Sequence, residues 1–117
     1  MELYTQDLCV HFATRSGDIP AVNHVSLTFS EQQVTGIIGE TGSGKSVLGL
    51  SILGLLQSNA SVSGKIFLGE RELTALSEKE LCTVRGKEIA LVAQNPATSL
   101  NPSVRVGRQI EEVFRLA

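Results

Sequence analysis

The sequence predicts an α/β fold in which a buried strand, a glycine-rich loop and an apolar helix follow one another, with a small antiparallel β layer beside them. Three observations carry this prediction: period-2 alternation at Leu8, Val10, Phe12 and at Val25, Leu27, Phe29; the spacing of Gly39, Gly44, Lys45 and Ser46 just after an apolar run at 34–38; and a second apolar run at 89–93. With 117 residues the chain has the size of one small domain or part of one. Its 42% hydrophobic and 19% charged residues exclude both a disordered tract and a lipid-embedded chain. A net charge of −2 and an aromatic set of four Phe and one Tyr, without Trp, leave neither the field nor the stacking surface for nucleic acid as main partner.

The alternating segments are half-buried strands, and the turn formers at 16–20 between them make the pair antiparallel. Glu31, Gln32 and Gln33 form a turn into 34–38, where Val-Thr-Gly-Ile-Ile is apolar on both faces, as in a central buried strand. The apolar stretch 47–56 then has the length of a three-turn helix, covered all round. Ser63-Gly64 and Gly69-Glu70 bracket a short strand at 65–68. Ser77 and Glu80 have capping-box spacing and open a polar helix to about Val84. The run at 89–93 is the second buried strand, stopped by Gln94-Asn95-Pro96. Val106, Ile110, Val113 and Phe114 repeat at helical spacing, and the absence of a terminator after Leu116 makes this last helix read as cut.

No apolar stretch approaches the roughly 20 residues of a membrane-spanning helix, so none is expected. The opening Met1-Glu2-Leu3-Tyr4 is not a secretory leader, and the expectation is an intracellular chain with Cys9 and Cys82 reduced. Cys9 and His11 share one strand face, but two ligands do not make a metal site.

Residues 39–46 read Gly-Glu-Thr-Gly-Ser-Gly-Lys-Ser and satisfy G-x-x-x-x-G-K-[ST]. Glycines let successive backbone N–H groups converge on phosphate oxygens more closely than any side chain would permit. The helix that follows adds its positive end. Lys45 supplies a full charge for the β and γ phosphates, and Ser46 a hydroxyl for the bridging Mg²⁺. A chance match is on the order of one per cent or less at ordinary glycine frequency, and the flanking strand and helix lower it further.

Among proteins with such a loop, the stretch Gln94-Asn95-Pro96-Ala97-Thr98-Ser99-Leu100-Asn101-Pro102 after an apolar run, with Arg85-Gly86 and Ile89-Ala90 before it, resembles the ATP-binding subunits of ABC transporters. Within them the chain looks most like the dipeptide, oligopeptide and nickel importer family. The likeness covers about 8–114, with 1–117 forming the N-terminal portion of one ATP-binding domain of P-loop NTPase fold with its small antiparallel β subdomain. It implies ATP and Mg²⁺ as cofactors. Nucleotide contacts would come from Gly39, Glu40, Thr41, Gly42, Ser43, Gly44, Lys45, Ser46 and Val47. Phe12 would stack on adenine. Gln94 would be the Q-loop glutamine, touching Mg²⁺ or the attacking water, so Ser46 and Gln94 form the metal set. Membrane-spanning permease subunits and a second ATP-binding subunit are the implied partners, at the cytoplasmic face of the membrane. Gln32 and Gln33 depart from the family's frequent Gly-Glu, and Ala93 and Asn95 from its Phe and Asp, all outside the phosphate loop.

The resemblance also implies groups that these residues lack. Hydrolysis in this class uses a later Asp, an adjacent Glu, a Leu-Ser-Gly-Gly loop from the partner and a switch His. The only aspartates here are Asp7 and Asp18, His11 and His24 both precede the loop, and no Leu-Ser-Gly-Gly occurs. The expectation is therefore the truncated N-terminal part of a transport ATPase that binds nucleotide and hydrolyses it negligibly alone, with no catalytic residue inside it; a noncatalytic nucleotide-binding fragment is the alternative. A GTPase or small-molecule kinase is disfavoured, and the Asn-Lys-x-Asp of GTPases does not follow Ser46. The solute, whether peptide, nickel or glutathione, is not written in this subunit.

Overall fold

The computed structural model describes residues 1–40, 42, 44–94 and 99–116. The chain forms two compact units, Met1–Leu81 and Cys82–Ala117.

The first unit is built on an antiparallel sheet in which β2 (Gly17–Val25), β1 (Leu3–Thr14), β4 (Ala60–Leu68) and β5 (Arg71–Glu72) lie side by side, with β3 (Thr28–Phe29) also paired to β1. Alternation alone would give β1 a single parity. A bulge changes it: Gln6 faces Lys65 and Cys9 faces Ser63, so Asp7 and Leu8 oppose Gly64 alone. Thr5 is buried before the bulge and Leu8, Cys9 and Val10 after it, so the extra residue is what brings the even positions Leu8 and Val10 into the core. Gly64 is required there, since it has φ +83° and a Cβ on it would stand 2.2 Å from the Asp7 carbonyl oxygen. Leu8, Val10, Val22, Ile66, Leu68 and Leu73 form the core. Tyr4 and Phe67 face each other across β1 and β4 and stack with centroids 4.9 Å apart.

The antiparallel pairing expected from the first two alternating segments is present, but its turn is shorter than 16–20. Arg15 and Ser16 alone turn the chain, with the Thr14 hydroxyl donating to the Gly17 carbonyl at 2.7 Å and accepting from the Ser16 N–H. Ile19 and Pro20 fall inside β2, which is a sheet edge where a missing N–H can point away from the ladder. The single strand expected at 25–29 is split. Thr5 explains the split: its N–H donates to the Leu27 carbonyl, and its hydroxyl accepts from the Leu27 N–H at 2.9 Å and donates to the Val25 carbonyl at 3.0 Å, replacing a ladder rung.

The helix expected at 47–56 is α1 (Lys45–Ile52). Gly54, at φ +67°, stops it: its N–H bonds the Ser51 carbonyl and the Leu55 N–H the Leu50 carbonyl, the paired bonds of a Schellman end. Nor is it covered all round, since Leu48 and Ser51 are its buried residues. The capping box forms as expected, with the Ser77 hydroxyl accepting from the Glu80 N–H and the Glu80 carboxylate accepting from the Ser77 N–H and hydroxyl. The helix it opens, α2 (Glu78–Leu81), is only one turn long.

Two expected strands do not form. Residues 34–38 form no regular element and lie outside every ladder, with Ile38 98% exposed. Residues 89–93 make only a bridge between Arg85 and Ile89, and Val92 is 96% exposed. The parallel layer that both runs require has no members among the described residues, so the sheet that is present is wholly antiparallel. In the second unit, the turn 84–89 closes on the Val84 carbonyl. The last helix, α3 (Val106–Leu116), is tied to its approach by Gln109, whose amide donates to the Asn101 and Val104 carbonyls. None of its residues is buried.

Candidate functional site

The glycine-rich loop joins the irregular 34–38 segment to α1, and the backbone at the join has one unusual residue. Gly44 takes φ +94°, ψ 6°, caps α1, and accepts the first helical hydrogen bond from the Leu48 N–H at 2.9 Å. An L side chain is strained in that conformation, and it would also collide: a Cβ on Gly44 would stand 2.4 Å from the Ala21 carbonyl oxygen. The β2 backbone therefore runs against the loop glycine. Among the described residues no side chain caps α1, and its first turn carries no acid, so the positive end of the helix is not neutralised by its own first turn.

Lys45, the first residue of α1, folds its ammonium back to donate to the Gly39 carbonyl. The contact joins the first and seventh positions of the motif and leaves the charge over the loop. Ser46 is exposed at the helix start, Val47 is half-buried beside it, and Glu40 and Gly42 are exposed in the loop. Gly42 has φ +87° with open space around it. Thr41 and Ser43 lie outside the described residues.

Beneath the loop is a cleft of about 390 Å³ with mostly aliphatic walls, among them Val22, Val25, Ile37, Ile38 and Leu48. Its polar lining comes from Lys45, Asn23 and the backbone of Gly39 and Gly44. Aliphatic walls suit packing; the polar groups beside Lys45 suit an anion. A glycine at the helix start that a Cβ would obstruct, the positive end of α1 and one ammonium suit an anion such as a phosphate tail, and the exposed Ser46 hydroxyl is the oxygen here that fits a magnesium ion.

Of the remaining expected residues, Phe12 lies elsewhere in the first unit. Phe12 sits near the end of β1, half-exposed, opposite Ile19 on one side and Ala60 on the other, and does not line the cleft. Gln94 is exposed and belongs to the second unit; 95–98 of its motif are outside the described residues. Among the described residues no group of three or more His, Cys, Asp or Glu is placed to hold a metal. Cys9, buried, instead accepts a hydrogen bond from the His24 N–H at 3.2 Å, and Cys82 is a free, exposed thiol. No helix among the described residues is long and apolar enough to cross a membrane. Sequence reasoning missed the contact of Ala21 with the loop, because a backbone carbonyl in a strand leaves no signal in residue type.

Comparison with known proteins gives the family. Residues 22–115 match the family model described as ABC transporter. The oligopeptide transport ATP-binding protein OppD of Salmonella typhimurium is 44% identical over 97% of this chain and 34% of its own length. AppD of Bacillus subtilis, also an oligopeptide transport ATP-binding protein, is 40% identical over 96% of this chain and 35% of its own. The dipeptide transport ATP-binding protein DppD of Lactococcus lactis is 40% identical over 94% and 32%. The chain spans about a third of the length of these relatives.

Proposed function

The chain belongs to the ABC transporter family, and on that premise we propose that its first unit grips the phosphate tail of ATP and serves the ATP-hydrolysing, energy-coupling subunit of a peptide importer. The observation that carries the reading is the left-handed Gly44 opening α1 under an ammonium held at Gly39. Backbone N–H groups of the loop and of the first turn of α1 would donate to the phosphate oxygens, Lys45 would leave the Gly39 carbonyl to neutralise the outer phosphates, and the Ser46 hydroxyl would ligate Mg²⁺. Bound magnesium would supply charge neutralisation between phosphates. Glu40, Thr41, Gly42, Ser43 and Val47 belong to the same proposed contact. Gln94 as a further magnesium ligand and Phe12 as the adenine platform enter on the resemblance alone.

Within these 117 residues the proposed role is binding rather than turnover, because the aspartates available are Asp7 and Asp18, both before the loop. Permease subunits spanning the membrane and a second ATP-binding subunit are the proposed partners, with the protein peripheral at the cytoplasmic face. The relatives' names support peptide as the solute in preference to nickel.

Calorimetric titration of the intact protein with Mg-ATP tests the reading. Lys45→Ala removes the charge-assisted contact and should weaken binding by about 10- to 100-fold, with the unfolding midpoint unchanged. Equal affinity in the variant and the wild type would remove the proposal.

A further inference from the structure

The β1–β2 ladder carries a second irregularity, and its position bears on the loop. Val22 faces Val10 and Val25 faces Leu8, so Asn23 and His24 together oppose Cys9. Such a two-against-one bulge re-aims a side chain. Here it is held from several directions: the His24 N–H donates to the Cys9 Sγ, the His24 Nδ1 lies 2.8 Å from the Asp7 Oδ1, and the Asp7 N–H donates to the Ser26 hydroxyl at 2.9 Å. His24 and Asp7 both have positive φ, at +49° and +50°. Strain kept in place by three contacts calls for a use.

The residue the bulge displaces is Asn23. It is exposed, its carboxamide has no hydrogen-bond partner among the described residues, and it lines the cleft with Lys45, Gly39 and Gly44. Its neighbours Ala21 and Val22 are the residues that a Cβ on Gly44 would meet, so this stretch of β2 is in register with the loop glycine. We propose that Asn23 is a nucleotide-binding residue whose carboxamide N–H donates to a phosphate oxygen of the tail held by the loop. The inference rests on the phosphate-gripping role proposed above and adds to it a donor from β2, outside the motif. A neutral amide suits this place: it adds a directional bond to an anion without duplicating the charge of Lys45.

Asn23→Ala and the near-isosteric Asn23→Asp, each in the intact protein, test the proposal by titration with Mg-ATP, inorganic pyrophosphate and adenosine. The alanine variant should bind Mg-ATP and pyrophosphate about tenfold more weakly, and the aspartate variant more weakly still, because a carboxylate then faces the phosphates. Adenosine should bind both as it binds the wild type, which a merely structural role for Asn23 would not produce. Wild-type affinity for Mg-ATP in both variants, beside a large loss in Lys45→Ala, overturns the role of Asn23 and leaves the loop reading standing. An equal loss for adenosine and Mg-ATP overturns it as well, and an unaffected Lys45→Ala removes both readings.

Discussion

Replacing Gly44 by alanine puts a methyl group where the fold already has a carbonyl. The new Cβ would stand 2.4 Å from the Ala21 oxygen and 3.5 Å from its carbon, so something must retreat by roughly an ångström to restore ordinary contact. Ala21 is itself unpaired at a register shift, but its neighbours Pro20 and Val22 are paired with His11 and Val10, which limits how far its carbonyl can move. The backbone adds a second cost, since Gly44 sits at φ +94°. Left-handed backbone costs an L-residue about 1–2 kcal/mol and a forced shift of packed structure about 1–3 kcal/mol, which together predict a loss of about 2–5 kcal/mol. Gly42 is the internal control. It has φ +87° but nothing within 4 Å of its would-be Cβ, so Gly42→Ala should lose only the backbone part, about 1–2 kcal/mol. Denaturant titration of the two variants measures the difference, which isolates the collision with β2. A Mg-ATP titration should show Gly44→Ala weakened by at least about tenfold, because the shift moves the first-turn N–H donors. Equal destabilisation of the two variants would refute the contact between Gly44 and β2 as the cause.

The same reasoning applies away from the loop. Gly64→Ala should destabilise by about 2–5 kcal/mol, since its Cβ would stand 2.2 Å from the Asp7 oxygen at φ +83°; the unfolding midpoint reads it. Thr5→Val keeps the shape of a residue only 4% exposed but strips the hydroxyl that joins Val25 and Leu27, and should cost about 1–3 kcal/mol. Amide exchange at Leu27 should quicken in that variant.

The legibility of this chain differs from one element to the next for reasons that can be stated. The glycine-rich loop was readable because its motif needs particular residue types at set spacings, and Gly44 and Lys45 stand at the start of α1. The capping box of Ser77 and Glu80 was readable for the same reason, being local and made by side chains three residues apart. Alternation identified Leu8 and Val10 as core, yet it did not reveal the bulges at Asp7 and at Asn23–His24, since a bulge changes parity without changing composition. The apolar runs 34–38 and 89–93 have the composition of buried strands, and composition alone does not provide the neighbours that a parallel layer requires. Ala21, Asn23 and the cleft were invisible, because their place beside Lys45 depends on how β2 is registered on β1.

What the residues settle unaided is therefore local: where an anion can be cradled, where a helix can start, which strands alternate, and which family the motif order resembles. Hydrogen bonds and φ preferences within a few residues of one another are written in residue type. Only the tertiary structure decides that Gly44 must lack a side chain because of Ala21, that Thr5 stands in for a ladder rung, and that Asn23 lies with Lys45 around one cleft. Those relations join residues about 20 positions apart, and such pairings arise from sheet register and close packing, which neither spacing nor composition encodes.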